Sequence, residues 1–86
     1  MSENAEYWLD LAEYDFDTAR AMLVAGKFLY VGFMCHQTIE KTLKAVISSN
    51  LEEGDMPPKI HDLVKLAVRS NLFDIMSNDQ KNLLII

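Results

Sequence analysis

The chain has 86 residues, half of them hydrophobic, a formal net charge of −5 and a single cysteine. That length allows one small domain with a marginal core, and the apolar content excludes a disordered chain. The acidic balance excludes a global basic footprint for nucleic acid, and the lone Cys35 excludes an internal disulfide or a cysteine-rich zinc site.

The charge is unevenly placed. Glu3, Glu6, Asp10, Glu13, Asp15 and Asp17 precede the first base, Arg20. Between residues 20 and 51, Arg20, Lys27, Lys41 and Lys44 face one acid, Glu40, so a local positive face beside an acidic helix is conceivable. The opening MSENAEYW has neither a basic nor an apolar leader region. No apolar run approaches the roughly 20 residues of a membrane span. A single cytoplasmic domain over residues 1–86, with no repeat or low-complexity tract, is expected.

The first predicted helix covers residues 4–24. Trp8, Leu11, Ala12, Ala19, Met22 and Leu23 form one stripe of it, with Glu6, Asp10, Glu13, Asp17 and Arg20 opposite. Asp15 falls in the middle of the apolar stripe. A buried unpaired carboxylate costs several kcal/mol, so Asp15 calls for a partner on the next helix. His36, Gln37, Lys41 and Lys44 are the available ones. The pairing is either a structural ion pair that fixes helix packing or part of a ligand pocket. Gly26 suits the end of this helix as its cap.

The second helix is predicted from Phe28 to about Asn50. Gly32, Cys35, Ile39, Leu43 and Val46 make its apolar stripe, which places Cys35 inside as an inert small hydrophobe. The opposite arc holds Tyr30, Phe33, Gln37, Glu40, Lys41 and Lys44, of which the last four fall at i, i+3, i+4 and i+7. Two aromatics on this arc imply that it is partly covered. Lys41 and Lys44 could hold a phosphate with Tyr30 or Phe33 stacking a base, but no glycine-rich phosphate loop accompanies them.

Residues 51–59 (LEEGDMPPK) read as a loop. A third helix is predicted to start near Ile60 or His61, with His61 and Asp62 setting its start. Ser77 and Gln80 fit a capping box opening a fourth helix. Met22, Met34, Met56 and Met76 read as gap-filling or loop residues. Two histidines without a third ligand nearby in sequence do not make a metal site, and no cofactor is expected. The apolar run Leu83, Leu84, Ile85, Ile86 has no cap or polar tail, so a further helix is expected beyond it.

These residues together resemble the HEPN domain family (higher eukaryotes and prokaryotes nucleotide-binding). The resemblance runs through Trp8-Leu9-x-x-Ala12-x-x-Asp15, Ala19, Gly26-Lys27-Phe28, His36-Gln37-x-x-Glu40-Lys41-x-x-Lys44-Ala45 and Pro57-Pro58-x-x-His61-Asp62-Leu63-x-x-Leu66. It implies an all-α, up-and-down antiparallel helical bundle of about four helices, with the family's final helix missing. It also implies a homodimer and action with a minimal nucleotidyltransferase in a toxin–antitoxin or defence-type system. Many members of that family are metal-independent ribonucleases with an Arg-x(4–6)-His signature. Arg20 and Arg69 have no histidine at that spacing, so no catalytic residue is expected within the chain. The expected function is a nucleotide- or RNA-related module. Its alternatives are a ribonuclease with the signature beyond Ile86, or a non-catalytic dimeric scaffold.

Overall fold

A computed structural model of the chain describes residues 3–51, 57 and 59–85. Its elements are α1 (Glu3–Val24), α2 (Phe28–Ser49), α3 (Leu63–Arg69), a 3₁₀ turn (Phe73–Ile75) and α4 (Asn78–Leu83). They form an all-α antiparallel bundle of two long helices and two short ones. Most of the acidic loop (residues 52–56 and 58, including Met56) and Ile86 lie outside the described residues. Leu51, Pro57 and Lys59 are non-helical, as the loop reading requires.

Both long helices have 22 residues, hence a length of about 33 Å each. The turn between them is short because Gly26 takes φ 76°. The Lys27 N–H then donates to Met22 O at 2.8 Å, and Gly26 N–H to Leu23 O at 3.1 Å, closing a Schellman cap. Asn71 repeats the device after α3 at φ 65°, with Leu72 N–H donating to Ala67 O and Asn71 N–H to Val68 O. Any side chain other than Gly or Asn would be strained at these positions.

On α1, Ala5, Ala12 and Ala19 recur at seven-residue spacing and are all buried. Trp8, Asp15 and Met22 interleave with them at the same spacing, so α1 carries a heptad seam. Small residues let α2 approach closely. The stripe of α2 that meets this seam is the polar one, Gln37, Lys41 and Lys44. Lysine stems are apolar and can cover alanines while their heads seek partners.

The apolar core lies on the other side of α2. Leu43, Ile47, Leu63, Leu66, Ala67 and Leu84 form one cluster, with Ile39, Ile60, Leu72 and Phe73 packed around it. The C-terminal half of α2 is therefore covered on two faces. The molecule measures 42 × 29 × 19 Å, and the α1–α2 turn projects from the end away from this cluster.

Several expectations need correction. Cys35 is exposed, as are Gly32 and Leu23, because no short helix reaches the projecting end of the hairpin. Tyr30 and Phe33 are more than half exposed instead of partly covered. The third helix begins at Leu63, later than Ile60 or His61, because the Asp62 side chain accepts from the Lys65 N–H and so caps it. The capping box at α4 is complete: Gln80 N–H donates to Ser77 Oγ, and Ser77 N–H to Gln80 Oε1.

Candidate functional site

The polar residues of α2 divide into two groups. The first is at the α1 seam. Lys41 Nζ lies 3.4 Å from Asp15 Oδ2 and 2.9 Å from Gln37 Oε1. Asp15 thus meets Lys41, one turn from Lys44. Both side chains of the ion pair keep a little exposure, so its strength stays moderate.

The second group is deeper. Glu40 is 2 % exposed and each of its oxygens has its own partner. Lys44 Nζ donates to Oε2 at 3.4 Å, and His61 Nδ1 lies 3.0 Å from Oε1. Burial works to raise the Glu40 carboxyl, but the His61 hydrogen bond and the Lys44 and His61 charges outweigh it. They hold the group below its ordinary value of 4.5. An ionised carboxylate only accepts, so the proton of a neutral His61 ring sits on Nδ1. Lys44, itself buried, places its ammonium 5.2 Å from the centre of the Trp8 ring, a cation–π contact that adds to the Glu40 pair. Tyr7 meets Trp8 edge-on at 5.4 Å. The Trp8 indole N–H is buried and has no acceptor among the described residues.

With its Nδ1 held, His61 turns the rest of its ring outward; its side chain is 79 % exposed. It opens on a groove of about 340 Å³ that also takes in His36 and Asp62, with Leu63, Val64, Leu84 and Ile85 as apolar walls. The arrangement is chemically a fixed imidazole backed by a buried carboxylate, beside a second imidazole. It can take up or release a proton, and it can bind an anion when the rings are protonated.

The structure therefore brings His36, His61 and Asp62 to one groove, with Glu40 and Lys44 behind His61 and outside the groove's lining. Asp15, Gln37 and Lys41 lie together on the seam and outside that groove. Lys41 and Lys44 are engaged internally, which leaves neither ammonium free for a phosphate. Trp8 as the cover of Lys44 was missed from sequence. The signal available was an aromatic near the start of α1 in an antiparallel hairpin whose other arm carries lysines in its second half. The Glu40–His61 bond spans 21 residues and a loop, and no local pattern announces it.

Among the described residues, no three His, Cys, Asp or Glu side chains are grouped to hold a metal, and no helix is long and apolar enough to cross a membrane. No curated protein and no solved structure matches the chain. The HEPN domain family model matches residues 5–85, a span that takes in both long helices, the Glu40–His61 pair and α4: the chain belongs to the HEPN family, whose members are generally nucleotide- or RNA-related.

Proposed function

We propose that this chain is a nucleotide- or RNA-related HEPN module that works as a homodimer beside a minimal nucleotidyltransferase, in a toxin–antitoxin or defence-type system, and takes its ligand at the His36–His61 groove. One observation carries the ligand site: the exposed His61 ring is clamped 3.0 Å from the buried Glu40 carboxylate and shares its groove with His36. A neutral His61 ring, its Nδ1–H given to Glu40, turns an accepting Nε2 into the groove, which suits a ribose hydroxyl or a base amino group, and only the imidazolium form would donate to a phosphate. The dimer reading draws on the apolar end of the hairpin, where Val24, Phe28, Leu29 and Phe33 are all exposed.

The test is titration of the whole chain with a fluorescent adenine nucleotide and with a short single-stranded RNA. Binding should weaken about tenfold or more in His61→Ala and in His36→Ala, the loss of about 1.4 kcal/mol or more. Unchanged affinity in both variants sinks the ligand site. Co-expression with a minimal nucleotidyltransferase and recovery of a stable complex tests the partner separately.

A scaffold reading is favoured by one observation of its own: both Lys41 and Lys44 are tied to internal partners. If neither probe binds while the dimer persists, the scaffold is the better account.

A further inference from the structure

The acidic flank of α1 has no part in the seam or in the His36–His61 groove. Glu6, Asp10, Glu13 and Asp17 stand successive turns apart on one side of the helix, all exposed. Like charges three and four residues apart repel. Among the described residues, no lysine or arginine forms an ion pair with any of the four. Arg20 is the cation alongside, and it lies 4.5 Å over the Phe16 ring.

Glu13 and Asp17 of this row line a second groove, of about 520 Å³, that runs between α1 and α2. Leu9, Ala12 and Phe16 give it an apolar floor, Thr38 and Thr42 form the opposite wall, Glu13 and Asp17 form the rim, and Arg20 closes one end over the Phe16 ring. The threonine hydroxyls donate back into their own helix, to Met34 O at 2.9 Å and Thr38 O at 2.8 Å. Their donors are thus satisfied locally, and the wall offers mainly methyl groups.

We propose that this groove docks a basic amphipathic helix of a partner protein. A furrow between two antiparallel helices has the shape to receive the ridge of a third. An apolar floor of that length suits anchors at i, i+3 or i+4, and i+7. Lysines or arginines flanking those anchors meet the acidic row and relieve its repulsion. Charge separates this occupant from the others. A second copy brings the same net charge of −5, and a nucleic acid brings phosphates; both are repelled at this rim. The inference is independent of the His36–His61 groove.

The probe is a synthetic helix with leucines along one face and lysines elsewhere, titrated against the whole chain. Saturable binding is expected, with amide NMR shifts centred on Leu9, Ala12, Thr38 and Thr42. It should fall steeply with added salt. The paired substitution Glu13→Gln and Asp17→Asn, and separately Thr42→Lys, should each weaken it about tenfold or more. All three positions are on the rim or the wall, so circular dichroism melting should show these variants folded. A peptide of the same composition in scrambled order should not compete. Equal binding of the scrambled peptide, shifts centred away from the groove, or indifference to the acid-neutral variant would each overturn the proposal. So would a dimer that Thr42→Lys dissociates, because that assigns the groove to a second copy.

Discussion

The two halves of α2 invert the usual relation between side chain and environment. In its first half, Phe28 is 70 % exposed and Leu29 83 %. In its second half, Glu40 and Lys44 are among the most buried residues of the chain. The helix is continuous and regular, so local propensity does not separate the halves. What separates them is which other elements arrive. α3 packs on the second half, with Leu72, Phe73 and Leu84 joining the same cluster, and α1 is the main company of the first, where the later segments reach no further than His36. Burial follows from partners. A charged residue tolerates it when partners meet it there, as the buried Lys44 ammonium and the inward nitrogen of the exposed His61 ring do around Glu40.

The sharpest way to break this contrast is to remove Glu40. Glu40→Ala leaves the Lys44 ammonium in the interior without its carboxylate and should cost about 3–5 kcal/mol in urea unfolding. Replacing both partners, Glu40→Leu with Lys44→Met, should return most of that loss, because the pair is bought at a desolvation cost that apolar side chains avoid. A single variant as stable as the parent would mean that water reaches Lys44 and that the second half of α2 is less closed than its exposure indicates.

Acid provides a milder probe of the same place. The Glu40 carboxyl titrates below its ordinary value of 4.5 in the folded chain. The unfolded chain therefore takes up its proton first as pH falls. The stability that Glu40 contributes is complete above 4.5 and is lost as pH drops through the lower, folded value. Unfolding free energy measured against pH should show that decline, and His61→Gln should flatten it by removing the strongest of the contacts that lower the group. A decline equally steep in Glu40→Gln would assign it to other carboxylates. The seam pair should matter less. Asp15→Asn should cost about 1 kcal/mol or less, since Asp15 and Lys41 both retain contact with solvent.

Much of this architecture is legible in the sequence because its signals are local. The bounds of α1 and α2, the cap at Gly26 and the capping box at Ser77 each depend on a few neighbouring residues. Asp15 on an apolar stripe also announced that it needed a partner across the hairpin, and Lys41 supplies it. The helix wheel of α2 put Ile39 and Leu43 on the core side but missed which residues the two faces bury. It put Cys35 inside and left Glu40 and Lys44 on a polar arc, because which face is covered depends on where α3 and α4 land. The start of α3 was misplaced for a similar reason. His61 is held back by Glu40, a contact no sequence window contains, and Asp62 takes the cap.

The smallest effect on stability should come from the first half of α2, and there the comparison can be sharpened most. Leu29→Gln and Phe33→Gln keep good helix formers on the backbone and remove apolar surface that the monomer leaves in water. The folded monomer should change by no more than about 0.5 kcal/mol. If the hairpin end is the dimer contact, light scattering on the same samples should show the mass fall from dimer to monomer. The two readouts together separate the cases. A large drop in melting temperature with no change of mass would place these side chains inside the monomer and remove the contrast between the halves. A fall in mass at unchanged monomer stability would show that both halves of α2 obey one rule, the second half covered by its own chain and the first by a partner.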